Sequence, residues 1–333
     1  MSGIVTSDIH FTDNPNDEYR WGLLPWLAEQ AKEHNTTWIA ILGDLTVAKD
    51  RHSARLVNRF CDGIEALTKY SRVIILKANH DYVDEDSPFF GFLRHMTGKV
   101  VYVDKPYEWS DYLFLPHTRS WERDWKPYLN SWNNYDIIFT HQTYDGALAE
   151  NGQTLRGIPP SIFKGYKGQV ISGDVHVPQR LSSKLLYVGA PYRIKYGDDF
   201  IPRILLVRKR GTVLFDLQFK TVSRELAVIR KLSELQVCDY KPNDQLKVRV
   251  RLKRSEFPEG PELRRQIKRL AKKRGWALRG ITISQIKSKT STIDTEIQMT
   301  DPSDAVLDHV KRKKLNKDMA DIGLKLLEEA KGA

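Results

Sequence analysis

Five apolar runs of strand length each lead into polar residues, and this repeated pattern constrains the fold more than any other feature of the chain. Runs rich in Val and Ile are typical of buried strands in a layered α/β sheet. In such sheets, functional side chains collect at the carboxyl ends of the strands. The runs and the residues that follow them are Ile4-Val5 before Asp8 and His10, Trp38–Leu42 before Asp44, Val73–Leu76 before Asn79 and His80, Ile137–Thr140 before His141, and Val170–Ser172 before Asp174 and His176. One such strand end means little, but five in order predict one functional site.

Helical segments alternate with these strands. Apolar side chains recur at helical spacing from Glu18 to about His34, and again from Ala54 to Tyr70. We expect both stripes to pack on the sheet. This alternation of strand and helix predicts an α/β layered domain over the first 219 residues.

The polar strand ends offer carboxylate, amide and imidazole ligands without a thiolate. Such a set suits Mn²⁺ or Fe²⁺, with Mg²⁺ or Zn²⁺ as alternatives. Seven candidates exceed the needs of one ion but fit two ions that share a bridging carboxylate, a standard device for phosphate-ester hydrolysis. They are Asp8, His10, Asp44, Asn79, His141, Asp174 and His176. His80 is left over as a candidate acid for the leaving oxygen, and Asp81 as a residue that orients it.

The basic charge of the protein is concentrated in one part of the chain. Between residues 220 and 289 there are 20 Lys and Arg against 7 Asp and Glu, an excess larger than the net charge of +11 of the whole chain. Residues 246–253 alternate between apolar and basic, which predicts a strand with one basic face. A helix with a basic outer surface is expected from Pro261 to Gly275, followed by a strand from Trp276 to Ile286. This β-α-β cap is expected to bind the DNA backbone through Arg249, Arg251, Lys253, Arg264, Arg265, Lys268, Arg269, Lys272 and Lys273.

Three parts of the chain are therefore predicted. They are a phosphoesterase-type domain over residues 1–219, a basic cap domain over 220–290, and a linker with a helical tail over 291–333 that is a candidate for partner binding. Two cysteines in no metal-ligand spacing indicate ordinary thiols. No signal peptide or membrane-length apolar run is found, so the expected location is the cytoplasm, with no membrane partner.

The order Asp-x-His, Gly-Asp, Asn-His-Asp, His and Gly-x-x-His resembles the calcineurin-like metallophosphoesterase superfamily over roughly residues 1–200. That resemblance implies a two-layered sheet sandwich flanked by helices. Within the superfamily the chain looks like an SbcD-type nuclease of the short phage or bacterial form. The similar segments are Ser7–His10, Gly173–Gln179, Tyr187–Pro191 and the small cap that follows the core.

The resemblance also implies roles for single residues. One ion would be bound by Asp8, His10 and His176, the other by Asn79, His141 and Asp174, with Asp44 as the bridge and His80 as the transition-state acid. The implied partners are DNA and an SbcC-type coiled-coil ATPase, and family members often form homodimers.

Three positions depart from the family pattern. Asp174 stands where the family usually has His, Ala78 stands where a Gly normally precedes Asn79, and Phe11–Asp13 replaces the usual Gly shortly after His10. A carboxylate remains a competent ligand for Mn²⁺, so activity is expected to survive the change at Asp174.

The leading hypothesis is a two-metal DNA nuclease with exonuclease and single-strand or hairpin endonuclease activity, acting in DNA repair, recombination or degradation. One alternative is a phosphoesterase for small phosphodiesters or phosphoproteins, which has no need of the basic cap. Another is a DNA-binding scaffold whose metal site has decayed through Asp174. The other six ligand positions and His80 argue against decay.

Overall fold

The computed structural model describes residues 2–96, 98–208, 214–286, 320–322 and 325. The chain divides into two compact units, Met1–Ser284 and Gln285–Ala333. The predicted linker and nearly all of the predicted helical tail lie outside the described residues. The account below therefore concerns the first unit.

Fifteen strands and five α-helices are present in the described ranges. The strands are β1 (Gly3–Thr6), β2 (Trp38–Ile41), β3 (Arg72–Leu76), β4 (Val100–Val103), β5 (Tyr107–Trp109), β6 (Tyr112–Leu115), β7 (Ile137–His141), β8 (Gln169–Gly173), β9 (Gln179–Arg180), β10 (Leu185–Tyr187), β11 (Ile204–Val207), β12 (Leu214–Leu217), β13 (Arg224–Ile229), β14 (Gln245–Leu252) and β15 (Ala277–Gln285). The helices are α1 (Leu23–Glu33), α2 (Ala54–Thr68), α3 (Trp121–Asp124), α4 (Leu232–Gln236) and α5 (Gly260–Arg274). Short 3-10 helices cover Pro15–Gly22, Phe89–His95, Lys126–Asn134, Pro160–Phe163 and Arg254–Glu259.

The first two sheets each contain six strands. In one, the order is β12-β11-β1-β2-β3-β4, with β1 to β4 parallel, β11 antiparallel to β1, and β12 antiparallel to β11. In the other, the order is β5-β6-β7-β8-β10-β9, with parallel strands β6, β7, β8 and β10 between antiparallel edges. All five strands predicted to carry polar ends are central parallel strands of these sheets.

The two sheets pack face to face through an apolar layer. Side chains such as Val5, Ala40 and Ile74 from one sheet meet Phe114 and Phe139 from the other, and all five are buried. The outer face of the first sheet is covered by α1 and α2. The outer face of the second is covered by aromatic side chains from loops and 3-10 turns rather than by long helices. This arrangement confirms the predicted α/β sandwich.

The first predicted helix differs in detail from its prediction. The α-helical hydrogen-bond pattern begins only at Leu23, after the 3-10 segment Pro15–Gly22. Pro25 explains this boundary, since it has no N–H and its ring excludes the carbonyl four residues earlier, so it is tolerated only in a first turn. The second predicted helix is present as α2, and Ser53 caps it by accepting a hydrogen bond from the Leu56 N–H at 3.0 Å.

The third sheet has the order β13-β14-β15, and β13 runs parallel to β14. Along β14, buried and exposed residues alternate, and the buried Leu246, Val248, Val250 and Leu252 share a core with Ile267 and Ala271 of α5. Helix α5 ends at Gly275, whose φ of 71° is the left-handed conformation that glycine adopts readily. Strand β13 was not predicted, because its sequence mixes charged and apolar residues without a clear period.

Within the described ranges, no helix combines the length and apolar character needed to cross a membrane.

Candidate metal centre

The carboxyl ends of the central parallel strands bring all seven predicted ligands into one cluster, in which Asn79, Asp174 and His176 are half-buried and the other four are buried. Asp8 and His10 follow β1, Asp44 follows β2, and Asn79 follows β3. In the second sheet, His141 ends β7, while Asp174 and His176 follow β8. The two sheets meet at this cluster, where His141 Nε2 lies 3.3 Å from Asp44 Oδ1.

Backbone conformation sets these side chains apart from ordinary strand ends. Asp8, His10, Asp44 and Asp174 have φ angles of 54°, 42°, 53° and 83°, in the left-handed region that residues with a side chain rarely adopt. Each such residue stores strain that its surroundings must compensate, and such strain is typically concentrated at functional sites.

Glycine is required immediately before two of these residues. A Cβ on Gly43, before Asp44, would lie 2.3 Å from the Cβ of Ala78. A Cβ on Gly173 would lie 2.1 Å from Ser7 Oγ. The Gly-Asp pairs in the sequence therefore reflect the close approach of neighbouring strand ends as well as a turn.

One group of donor atoms is formed by Asp8, His10 and His176, whose ligand atoms lie within 4.8 Å of one another. The Nε2 atoms of the two histidines approach to 3.1 Å. Both carboxylate oxygens of Asp8 are buried without a hydrogen-bond partner among the described residues. Buried carboxylate oxygens in this state strongly favour a bound cation.

A second group lies on the other side of Asp44. His141 Nε2 is 3.7 Å from Asp174 Oδ1, and the Asn79 amide donates to the same oxygen at 2.9 Å. That hydrogen bond leaves Asn79 Oδ1 buried and unpartnered, so Asp174 orients the amide oxygen. Asp44 lies between the groups, with Oδ2 3.5 Å from His10 Nε2 and Oδ1 on the His141 side.

The protonation of His141 follows from its hydrogen bond. Its Nδ1 donates to the backbone carbonyl of Leu42, an acceptor only. The Nε2 atom is therefore the one presented to Asp44 and Asp174, as a metal-binding imidazole requires.

His80 and Asp81 occupy different environments. The His80 ring is 5.6 Å from the His10 ring, and its Nδ1 has no hydrogen-bond partner among the described residues. The backbone N–H of His80 donates to Asp44 Oδ1 at 3.2 Å. Asp81 is fully buried, and its two oxygens accept from the N–H groups of Leu45 at 3.1 Å and Ala78 at 2.8 Å. The structure thus places Asp81 between two strand-end loops and places His80 in the cluster.

The electrostatics of the cluster also fit divalent ions. Burial raises the pKa of Asp8 to about 6, and the neighbouring Asp44 adds to this effect. Burial lowers the pKa of His10 to about 3. Burial opposes charge on His141, but Asp44 raises its pKa to about 10, and His141 in turn holds the pKa of Asp44 below its usual range despite burial. Buried carboxylates that draw a proton onto a neighbouring imidazole are suited to exchange that proton for a metal ion.

Two residues that support the cluster were not predicted. Glu150 Oε1 lies 2.5 Å from His176 Nδ1, and this close contact lowers the pKa of Glu150 to about 2. Arg20, which is buried, donates to the backbone carbonyl of His10 at 2.6 Å. Neither residue follows a strand, so the pattern that identified the ligands carries no signal for them.

The nine predicted DNA-binding residues are all exposed, and they lie away from the buried cluster, on β14, just after it, and on α5.

Comparison with known proteins identifies the family to which the chain belongs. The model of the calcineurin-like phosphoesterase family matches residues 1–179, which include all seven predicted ligands. No curated protein matches the chain. Among solved structures, the crystal structure of the Pseudomonas putida nuclease MPE is similar with a TM-score of 0.34 and 15% identity, over 65% of this chain and 87% of that one. Since the family model covers more than half of the sequence, the chain belongs to the calcineurin-like phosphoesterase family.

Proposed function

We propose that this phosphoesterase is a metal-dependent DNA nuclease. The observation that carries the proposal is a continuous series of contacts from the metal centre to the third sheet. Glu150, which contacts His176, also pairs with Lys195 Nζ at 3.1 Å. The next residue, Tyr196, has its ring 4.2 Å from Lys247 Nζ on β14.

This series indicates which basic surface would guide a nucleic-acid strand. Side chains alternate between the two faces of a strand, and the apolar residues of β14 face α5. Lys247, Arg249 and Arg251 therefore occupy the opposite, open face of the sheet, where Lys247 contacts Tyr196. The basic residues of α5 lie on the outer surface of that helix. We assign the substrate strand to the open sheet face.

The chemistry expected at the centre is phosphodiester hydrolysis. Divalent ions, when bound, neutralise the charge that develops on the phosphoryl oxygens. Asp8, His10 and His176 would hold one ion and Asn79, His141 and Asp174 the other, with Asp44 between them. His80 extends from the same cluster with a free ring nitrogen, so it is placed to hold the proton that the leaving oxygen requires.

The two alternatives make different demands on the structure. A phosphoesterase for small phosphodiesters or phosphoproteins needs the centre but not the basic open face of the sheet. A DNA-binding scaffold needs the basic surface but not the strained ligand positions or the unpartnered oxygens of Asp8. A DNA nuclease accounts for both features.

The test is cleavage of end-labelled linear and hairpin DNA with Mn²⁺, beside turnover of a small chromogenic diester. The variant Lys247→Glu/Arg249→Glu changes the open sheet face, and Arg264→Glu/Lys268→Glu is the matched control on α5. We expect the first to lower DNA cleavage about tenfold or more and to reduce the salt slope of DNA binding by about 2, with diester turnover unchanged. His80→Ala should abolish cleavage of DNA.

Two results would overturn the proposal. If the wild type hydrolyses the diester but none of the DNA substrates, the small-phosphoester alternative is correct. If neither substrate is cleaved while DNA still binds, the scaffold alternative is correct. A larger loss in the α5 variant than in the β14 variant would instead move the DNA to the helix surface.

A further inference from the structure

The carboxylate of Asp174, the predicted ligand at which the chain departs from the family pattern, is held by two side-chain donors. The Thr143 hydroxyl donates to Oδ2, and the Asn79 amide donates to Oδ1 at 2.9 Å. The Asp174 side chain is only 10% exposed. Thr143 follows β7 and Asn79 follows β3, so both donors come from other strand ends. The carboxylate is therefore fixed in one orientation among three strand ends.

The backbone of Thr143 is itself held in place. The N–H of Ile158 donates to the Thr143 carbonyl at 3.0 Å. A Cβ on Gly157 would lie 2.1 Å from the same carbonyl oxygen, so the loop packs closely on Thr143. The Gly157 N–H donates to Asp145 Oδ1 at 2.8 Å, which ties this loop to the segment after Thr143. Because a β-branched side chain has few χ1 rotamers, the Thr143 hydroxyl is preorganised toward Asp174.

A simple turn residue would use its carboxylate differently. An aspartate in a turn typically accepts from its own neighbouring backbone N–H groups. Within the described chain, both hydrogen bonds to the Asp174 carboxylate come instead from side chains of other strand ends. Its Oδ1 lies 3.7 Å from His141 Nε2, so one cation can contact both atoms, since ligand distances are about 2.0–2.2 Å. A carboxylate oxygen has two lone pairs, so Oδ1 can accept from Asn79 and still bind an ion.

The two groups of predicted ligands differ in their donor atoms. The first group contains two imidazoles, those of His10 and His176. The second contains one, that of His141, because Asp174 and Asn79 offer oxygen atoms. Imidazole suits Zn²⁺ and Fe²⁺, whereas carboxylate and carbonyl oxygens suit Mg²⁺ and Mn²⁺. The second group is therefore the harder ligand set.

We propose that Thr143 is a positioning residue for Asp174, and that the pair lowers the preference of the second metal site for Zn²⁺ over Mn²⁺. Sites of nitrogen and oxygen ligands generally bind Zn²⁺ more tightly than Mn²⁺, and a fixed carboxylate in place of an imidazole narrows the difference. The hydroxyl acts on the ion through the carboxylate that it orients. This role of Thr143 rests on the ligand set of the proposed function but does not depend on DNA as the substrate.

The test is calorimetric titration of the full chain with Mn²⁺ and, separately, with Zn²⁺. Thr143→Val should weaken one of the two Mn²⁺ binding events about 10–100-fold and leave the other unchanged, because it removes the hydroxyl but keeps the shape. Thr143→Ser keeps the hydroxyl and should retain most of the affinity. Thr154→Val, at an exposed position of the following loop, is the matched control and should match the wild type. Asp174→His should raise the ratio of Zn²⁺ to Mn²⁺ affinity at the same event about tenfold or more.

Three results would overturn the proposal. Equal Mn²⁺ affinities of wild type and Thr143→Val would remove the role of Thr143, and an unchanged affinity ratio in Asp174→His would remove the selectivity. A single Mn²⁺ event in the wild type would show that the second ligand set holds no ion. If Thr143→Val does not fold, Asp174→Asn keeps the shape of the side chain without its charge and must weaken the same event. Because no cleavage is measured, failure of the nuclease function would be seen separately.

Discussion

The contact between Glu150 and His176 predicts that one of the two metal sites can be weakened from outside its ligand set. Glu150 Oε1 lies 2.5 Å from His176 Nδ1 as an ion pair, so the carboxylate holds the ring with Nε2 toward His10. Glu150→Gln keeps the shape of the side chain but removes its charge. The imidazole then becomes a poorer donor of electrons to a cation.

The expected magnitude follows from burial. The side chains of His176 and Glu150 are 14% and 20% exposed, so solvent screens their interaction little. Loss of a supporting carboxylate of this kind typically lowers metal affinity about 10–100-fold, or about 1.4–2.7 kcal/mol. Lys195, the other partner of Glu150, is 63% exposed, so Lys195→Met should change affinity about fivefold at most.

Calorimetric titration with Mn²⁺ can separate the two sites. Glu150→Gln should weaken one binding event and leave the other unchanged, because no contact links Glu150 to His141 or Asp174 among the described residues. Lys195→Met serves as the matched control for disturbance of the loop. Equal Mn²⁺ affinities of wild type and Glu150→Gln would refute the reasoning, as would parallel weakening of both events.

Two further predictions concern the same cluster. Asp81→Ala should lower the free energy of unfolding by about 2–4 kcal/mol in urea titrations, because the buried N–H groups of Leu45 and Ala78 lose their acceptor. Asp62→Ala, at an exposed position, is the control, and equal stability of the two variants would contradict this prediction. Mn²⁺ affinity should rise from pH 7 to pH 9 with release of about one proton, because Asp44 raises the pKa of His141 to about 10 against the effect of burial and the ion must displace that proton. Titrations in buffers of different ionisation enthalpy measure the release, and a pH-independent affinity would show that His141 is already neutral.

The strands and the clustering of the candidate ligands were predictable for one physical reason. Parallel strands that are buried on both faces need continuous apolar runs, so the first polar residue after each run marks the end of the strand. Asp44 and His141 could be assigned to one edge from that pattern alone, although they belong to different sheets. The covering of the second sheet was harder to predict, because aromatic side chains in loops have no period.

The supporting residues were not predictable, since their roles depend on long-range contacts. Glu150 belongs to a loop, and nothing in its neighbours indicates that it reaches His176. Arg20 lies in the segment that was predicted to begin the first helix, whose apolar residues were expected to pack on the sheet. Its guanidinium instead binds the carbonyl of a residue with φ of 42°. Spacing along the chain shows which residues share a strand end, but not which distant side chain stabilises it.

Arg20 also gives the third sheet a structural connection to the metal centre. Arg20 is 3.7 Å from Asp17, and Asp17 forms an ion pair with Arg224 at the start of β13. All three are at least nine-tenths buried, and removal of one partner from a buried ion pair is strongly destabilising. Both arginines also donate to the carbonyl of Ile194, the residue before Lys195. The start of β13 in the third sheet therefore holds two segments in place. They are the left-handed turn at His10 and the segment Ile194-Lys195, whose lysine pairs with Glu150. The open face of that sheet is thereby fixed relative to the predicted ligands, as the proposed role in guiding a DNA strand requires.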